Sequence, residues 1–114
     1  MIKTCLISLV LIVGIYMSLL AQTEVVEKKW KNGNIAMKGT MKNGFEDGRW
    51  EYFDKSGRLI QVTEFKKGYI HGEVIYYFDN GKIETRGLFD HGLKTGKYES
   101  WYINGNKDEV GYFK

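Results

Sequence analysis

The sequence predicts an all-β fold: an elongated antiparallel β-hairpin repeat array, in which copies of one unit form a single twisted meander sheet. The first observation is the spacing of glycine, because every glycine after Gly14 recurs at intervals of 24 residues. One series is Gly33, Gly57, Gly81 and Gly105. The second is an aromatic stretch before most of these glycines, and the third is the absence of proline, so that no strand loses a ladder hydrogen bond. Fixed periods of this length are typical of repeat proteins.

The remaining glycines belong to three further series with the same period. They are Gly44, Gly68 and Gly92; Gly48, Gly72 and Gly96; and Gly39, Gly87 and Gly111, with Thr63 in the vacant place. All but the last series are interpreted as structural turns, because glycine adopts positive φ angles without steric cost. The predicted turn residues are Gly33, Gly44, Gly48, Gly57, Gly68, Gly72, Gly81, Gly92, Gly96 and Gly105.

Each unit contains two predicted strands. The first strands are rich in aromatic and β-branched residues, which favour a half-buried pleated surface; they lie at residues 26–30, 50–54, 74–78 and 98–102. The second strands lie at residues 35–41, 59–65, 83–89 and 107–113. The connection is Asn-Gly in three units and Ser56-Gly57 in the other. Asn-Gly predicts a two-residue type I′ turn, in which both residues have positive φ.

A longer loop is predicted to close each unit, at residues 42–48, 66–72 and 90–96. With two-residue turns, the predicted cross-strand pairs are Trp50 with Thr63, Val74 with Gly87, and Tyr98 with Gly111. Two interpretations of the cross-strand glycine stay open. Either a large side chain folds over it and shields the backbone, or the glycine marks a bulge or a tight bend.

Charged residues mark the two terminal strands. Lys107, Asp108 and Glu109 stand where the preceding unit has Ile83-Glu84-Thr85, and the first strand contains residues 27–29, Glu-Lys-Lys. Charges on an edge strand oppose its pairing with another chain. We interpret them as protection of the sheet edges; ordinary variation on a tolerant surface is the alternative.

Residues 1–21 have the layout of a secretory signal peptide and are predicted to form a signal helix. Lys3 precedes an apolar run from Leu6 to Leu20, and Ala21 offers a cleavage site. An uncleaved signal anchor is the alternative, although the run is shorter than the roughly 20 residues needed to span a bilayer. Residues 22–114 would then hold the repeats, at about 26–49, 50–73, 74–97 and 98–114. The expected location is periplasmic, envelope-associated or extracellular.

Charge and cysteine content exclude several classes of function. The chain has 17 basic and 14 acidic residues, evenly interleaved, so no strong positive field attracts nucleic acid. Its one cysteine, Cys5, lies in the predicted signal peptide, so the mature chain would have neither a disulfide nor a cysteine metal site.

The unit Phe65-x-x-Gly68-x-x-x-Gly72-x-x-x-Tyr76-x-x-x-Asn80-Gly81 resembles the MORN repeat family in its bacterial variant form. The pattern recurs from Met41 and from Phe89, and the resemblance covers residues 26–114. Met41 replaces the family's aromatic residue in the first copy, and Ser56 replaces its asparagine. The resemblance implies an elongated hairpin array; bacterial chains of this kind are labelled antitoxin-like or immunity-like, and others are described as scaffolds or binders of phospholipid headgroups. It implies no catalytic residue, because the motif positions are structural.

No constellation for catalysis is apparent, and we expect a protein that is not an enzyme and holds no cofactor or metal. His71 and His91 lie at different places of different units and are interpreted as solvated loop residues. The only serines beyond the signal segment are Ser56, in a predicted turn, and Ser100, in an aromatic strand, and no nucleophile elbow is present. The acidic residues near the glycines, such as Asp79, are explained by turn chemistry.

The aromatic residues are the one feature that suggests a ligand. If they lined one face of the sheet, they would form either a thin core or an exposed band suited to docking a partner. This candidate interaction surface comprises Trp30, Trp50, Tyr52, Tyr76, Tyr77, Tyr98, Trp101 and Tyr102. The first hypothesis is an exported protein that binds a protein partner, in an antitoxin-like or immunity-like role. The alternative is an envelope scaffold or a binder of phospholipid headgroups or glycans; a remnant of a longer array with a purely structural purpose is a third.

Overall fold

The computed structural model describes residues 22–114, and the predicted signal peptide and its helix lie outside the described residues. Eight antiparallel strands form one open sheet in chain order, which confirms the predicted meander. The strands are β1 (Thr23–Lys29), β2 (Ile35–Lys42), β3 (Phe45–Phe53), β4 (Leu59–Lys66), β5 (Tyr69–Tyr77), β6 (Ile83–Asp90), β7 (Leu93–Trp101) and β8 (Lys107–Phe113).

Substantial contacts among the described strands join only consecutive strands. Stability is therefore close to a sum of hairpin and nearest-neighbour terms. The outermost strands are β1 and β8, and both are exposed along most of their length. The charged residues singled out in the sequence lie on these two outermost strands, as the interpretation of edge protection requires.

The register of the strands is as predicted. Trp50 pairs with Thr63, Val74 with Gly87, and Tyr98 with Gly111. The turns that connect these strands differ from the prediction. In each, the glycine N–H donates to the carbonyl three residues earlier, as from Gly57 to Asp54 at 3.0 Å, and the Asp54 N–H donates to Arg58 across a three-residue loop.

The connections at Asn32-Gly33, Ser56-Gly57, Asn80-Gly81 and Asn104-Gly105 are thus three-residue loops, not the predicted type I′ turns. Only the glycine has positive φ, as in Gly57 at 94°, and no residue of the Asn32, Ser56, Asn80, Asn104 series does. A type I turn followed by a left-handed residue is the common form of such a loop. The extra residue shifts the pairing by one, and an irregularity between Tyr52 and Phe53 shifts it back, which is why the predicted register survives.

The prediction of long loops at residues 42–48, 66–72 and 90–96 is wrong. The chain reverses in two residues, Asn43-Gly44, Lys67-Gly68 and His91-Gly92, and both residues have positive φ in each. Positive φ at both positions defines a type I′ turn. Gly48, Gly72 and Gly96 do not form turns; they lie inside β3, β5 and β7 with positive φ, beside register shifts that mark bulges.

Both interpretations of the Gly39 series, a covering side chain and a bulge, apply. The covering side chain, however, comes from the strand on the other side of the glycine and not from the predicted cross-strand partner. Gly39 lies at the register shift between β2 and β3, and the indole of Trp50 covers it so closely that a Cβ there would overlap the ring. Tyr98 likewise lies over Gly87, at 3.6 Å from the position of a Cβ. Each aromatic residue therefore covers the glycine of the preceding strand, and not its cross-strand partner in the following one.

Asparagine has a different role from the one its Asn-Gly motif suggests. The Oδ1 atom of Asn80 accepts from the Lys82 N–H at 3.0 Å, and its amide donates to the Ile103 carbonyl of the next loop at 3.1 Å. Asn32 links its loop to the Lys55 carbonyl in the same way, at 2.7 Å. Ser56 is too short for this bond, and the Arg58 guanidinium reaches the next loop instead, at the Asp79 carbonyl. These hydrogen bonds connect consecutive three-residue loops along one edge of the sheet.

The buried residues lie in the middle of the sheet, since no second layer covers it within the described residues. Trp50 and Val62 are 3% and 1% exposed, and the other buried residues are Thr63, Val74, Ile75 and Ser100. Trp50 also donates from Nε1 to the Thr40 carbonyl at 3.1 Å. The core is therefore thin, and a single side chain contributes a large part of it.

Replacing Gly81 with valine is expected to lower the free energy of unfolding by about 1–3 kcal/mol, because a β-branched residue is strained at φ 85°. No atom lies within 4 Å of the added Cβ, so the effect reports backbone strain alone. Urea denaturation measures it. Gly81→Asn is the control, since asparagine tolerates positive φ; equal melting of Gly81→Val and the parent would contradict the loop geometry.

Candidate functional site

Two faces of the sheet differ in character. Trp50, Tyr52, Tyr76 and Tyr98 share one face, which we call the groove face, because residues directly opposite in register point to the same side. A row of directly paired residues crosses this face on all eight strands: Lys28, Met37, Tyr52, Gln61, Tyr76, Thr85, Ser100 and Glu109.

A groove on this face results from the small side chain of Val74. Trp50, Val74 and Tyr98 occupy equivalent positions in successive units. The Trp50 ring packs edge-on against Phe65, with centroids 6.0 Å apart, and an equivalent pair at 6.4 Å joins Tyr98 to Phe113. The corresponding third pair is Val74 with Phe89, and valine has no ring to fill the space. A cavity of about 320 Å³ remains, open to solvent.

The floor of the groove is polar and its rim is aromatic. Gln61 donates to the Thr63 hydroxyl at 2.9 Å, and Thr63 itself is only 2% exposed. Gly87 leaves the backbone accessible between Val74 and Tyr98, and Tyr76 on the rim is 44% exposed. Such a groove offers apolar contact together with hydrogen-bonding groups, which is the usual composition of a ligand site.

Lys94 lines the same groove, and its Nζ atom lies 5.6 Å from the centroid of the Phe113 ring. The ring face attracts the ammonium group and holds it at the groove wall. The groove therefore ends at a positive charge.

The opposite side, the charged face, carries a row of ion pairs. Lys38 and Glu51 are 3.9 Å apart, and Glu99 contacts both Lys97 and Lys107. The Lys107 ammonium beside Glu99 lowers the pKa of that carboxyl. Exposed pairs of this kind contribute little to stability. The charged face is therefore hydrophilic, and Val62 and Ile75 are its buried apolar residues.

The eight aromatic residues of the predicted surface do not share one face. Trp50, Tyr52, Tyr76 and Tyr98 lie on the groove face. Tyr77 follows Tyr76 and so points to the charged face, as does Trp101, whose ring lies 5.2 Å from the Lys107 ammonium. Trp30 and Tyr102 immediately precede three-residue loops, and their backbone N–H groups donate across those loops to Asn34 and Asn106. The sequence interpretation missed Val74, Gly87 and Phe89, because it searched for large side chains and not for a gap between them.

The edge formed by the type I′ turns combines apolar and basic residues. Phe45, Tyr69 and Leu93 each follow a turn and are 55%, 56% and 73% exposed. Lys42, Lys66 and Lys67 line the recess between the first two of these rings. This edge is a second exposed surface, distinct from the groove.

The two histidines, interpreted as separate loop residues, lie together. Their ring centroids are 5.6 Å apart, and both contact the carboxylate of Asp90. The hydrogen bond from His91 lowers the pKa of the Asp90 carboxyl. The separation of His71 and His91 in sequence concealed this cluster, which depends on the two-residue turn at His91-Gly92.

An open, single-layer sheet of copied hairpins with one grooved face defines a repeat protein of the binding type. The family model described as MORN repeat variant matches residues 46–67 and 70–91, which confirms the predicted resemblance to the MORN repeat family over these two units. Each match spans one hairpin and its three-residue loop. No curated protein and no solved structure matches the chain.

The sheet of MORN repeats fits a role in binding a protein or a lipid. Among residues 22–114 there is no helix with the length and apolar character required to span a bilayer.

Proposed function

We propose that this chain is an exported, non-enzymatic repeat protein that binds an extended segment of a partner protein in the groove over Gly87. The observation that carries the proposal is the unfilled place beside Phe89, where the neighbouring units have an aromatic pair. An apolar or aromatic side chain of the partner would complete the third pair. Contacts of this kind, an anchor in a pocket, dominate the affinity of protein interfaces.

The lining of the groove favours a peptide over a purely apolar ligand. The Gln61 and Thr63 side chains and the backbone at Gly87 offer hydrogen bonds to an extended main chain. Lys94 would pair with an acidic side chain of the partner. We therefore expect a segment with an apolar anchor and a nearby acid.

An antitoxin-like or immunity-like role follows if the partner is a toxin that acts in the cell envelope, because an exported chain cannot neutralise a cytoplasmic one. N-terminal sequencing of the protein from its native host tests the export, and we expect the mature chain to begin at Gln22. Retention of residues 1–21 would indicate an anchored form instead.

Replacing Val74 with tyrosine is expected to abolish partner capture while the fold is retained. Tyrosine at the position equivalent to Trp50 and Tyr98 would lean over the preceding strand, toward Thr63, and take up space in the groove. Circular dichroism and urea denaturation verify that the fold is retained, because Thr63 has a side chain where the other units have glycine. We expect affinity to fall by at least about 10-fold, the effect of blocking an anchor pocket. Cross-linking pull-down from the native envelope identifies the partner, and titration with the purified partner measures the affinity.

The matched control is Val25→Tyr, the same substitution at a position on β1 that is 78% exposed. This variant should capture the partner as the parent does. Undiminished capture by Val74→Tyr would show that the groove is not the binding site. Parallel incubation with purified cell wall tests the glycan alternative.

The turn edge supports a second candidate function, an envelope scaffold that contacts phospholipid headgroups. Exposed apolar rings beside lysines are the composition of surfaces that rest on anionic membranes, since the rings enter the interface and the ammonium groups face the headgroups. Phe45, Tyr69, Lys66 and Lys67 provide both on one edge.

Lys66→Gln is expected to weaken binding to phosphatidylglycerol-containing vesicles about 5-fold, because one lysine near an anionic surface contributes about 1 kcal/mol. Vesicle co-sedimentation measures the change. Lys31→Gln is the control, since Lys31 lies in a three-residue loop at the opposite edge. Equal loss in both variants, or no binding by the parent, would exclude this edge as a headgroup site.

A further inference from the structure

Two adjacent units differ from the others at three positions that meet in space. At the junction of β5 with the turn between β6 and β7 stand His71, Asp90 and His91. The equivalent residues one unit earlier are Asp47, Lys66 and Lys67. Continuing the register from the pair of Gly72 and Phe89 places His71 opposite Asp90. The junction of the second and third units therefore has one acid and two imidazoles where the preceding junction has one acid and two lysines.

The side chains of this cluster converge on one point. The Nδ1 atom of His71 lies 3.2 Å from Oδ1 of Asp90, and Nδ1 of His91 contacts the same oxygen. One ligand atom from each residue lies within 4.8 Å of the other two. Adjacent ligands of a tetrahedral zinc ion, with bonds of about 2.0–2.1 Å, are separated by about 3.3 Å. The cluster is within a small side-chain rotation of that arrangement.

We propose that His71, Asp90 and His91 form a binding site for a zinc-like divalent transition metal ion. Two imidazole nitrogens and one carboxylate oxygen are ligands that such ions prefer, and water would complete the coordination. All three side chains are 40% or more exposed, so the site faces solvent and an ion can enter directly.

The surroundings hold the ligands in place. His91 is the first residue of a type I′ turn at φ 49°, which fixes the direction of its side chain beside Asp90. The Tyr69 ring packs against the His91 ring with centroids 5.7 Å apart. Lys66 and Lys67 line the same recess as the two histidine rings, so a bound cation requires their flexible side chains to extend away from it into solvent.

Calorimetric titration of the tag-free chain with Zn²⁺ tests the site, and we expect saturable binding of one ion per chain. The variants are His71→Thr, Asp90→Lys and His91→Asn, each of which introduces the residue found at the equivalent position of another unit, Thr95, Lys66 and Asn43. They should therefore fold, which circular dichroism verifies. Each is expected to weaken Zn²⁺ binding by at least about 10-fold.

Two further measurements separate this site from other zinc-binding groups. The triple variant gives the background from every other residue, the Cys5 thiol included, and Asp79→Asn is a control acid in a loop at the opposite edge. Electron paramagnetic resonance with Cu²⁺ should show coupling to two imidazole nitrogens, of which one is lost in His71→Thr and both are lost in the triple variant. No saturable Zn²⁺ binding, uptake that the triple variant retains, or binding of inorganic phosphate in place of the metal would overturn the proposal.

Discussion

Replacing Gly39 with alanine is expected to lower the free energy of unfolding by about 1–3 kcal/mol, although the change adds only one methyl group. The backbone at Gly39 does not have a positive φ, so the cost arises from packing alone. The new Cβ would overlap the indole of Trp50, which must leave its buried position. Urea denaturation followed by tryptophan fluorescence would report both the stability and the displacement of the ring.

Gly87→Ala is the matched control, because Gly87 is the equivalent residue in a later unit. Its Cβ would lie 3.6 Å from Tyr98 and 3.8 Å from Phe89, which is ordinary contact. We expect a change within about 0.5 kcal/mol. Similar losses in Gly39→Ala and Gly87→Ala would mean that both glycines are needed for backbone conformation, and that the covering ring is not the cause.

Replacing Trp50 with alanine is expected to cost about 3–5 kcal/mol, the usual range for removing a large buried aromatic side chain. The variant loses the edge-on contact with Phe65 and the hydrogen bond from Nε1 to the Thr40 carbonyl. Because each strand contacts only its neighbours, the loss should appear first in hydrogen exchange of β2, β3 and β4.

The two substitutions are also expected to be strongly non-additive. Once Trp50 is alanine, no ring covers Gly39, so the further change Gly39→Ala should be close to neutral. The coupling energy from this double-mutant cycle would then approach the full cost of Gly39→Ala. Additive effects would contradict the packing of Trp50 on Gly39. Trp101→Ala serves as a comparison, since Trp101 lies on the charged face and is only partly buried.

The strands and their order could be predicted because the repeat carries the same local signals in each copy. Aromatic and β-branched stretches alternate with glycine, and a fixed period leaves little choice of connection. The register of Trp50 with Thr63 was also predictable, although for an incomplete reason. It holds because a one-residue shift in the three-residue loop is cancelled by an irregularity next to Tyr52.

The turn types could not be predicted from the Asn-Gly motif. The Asn80 amide donates to the Ile103 carbonyl in the neighbouring loop, a contact that no local rule contains. The type I′ turn lies instead at pairs such as Lys67-Gly68, whose first residue carries no strong turn preference. This error placed His71 and His91 in long separate loops and so concealed the histidine cluster.

The groove also could not be predicted from the sequence, because it depends on the strand over which each aromatic ring lies. The pattern shows that Val74 replaces an aromatic residue, but not that Trp50 and Tyr98 cover the preceding strand. That direction decides which glycine is shielded and which space stays open.

The bonds from Asn32 and Asn80 to the following loops also affect how the number of repeats in the molecule could change. Every such bridge spans 23 residues, as in Asn32 to Lys55 and Asn80 to Ile103. Deletion of one whole 24-residue segment would place an equivalent loop carbonyl opposite each asparagine amide, so the bonds between loops could form again. Deletion of any other number of residues would place these amides opposite carbonyls at other positions of the repeat. Genetic gain or loss at this locus is therefore expected to proceed in whole multiples of the unit.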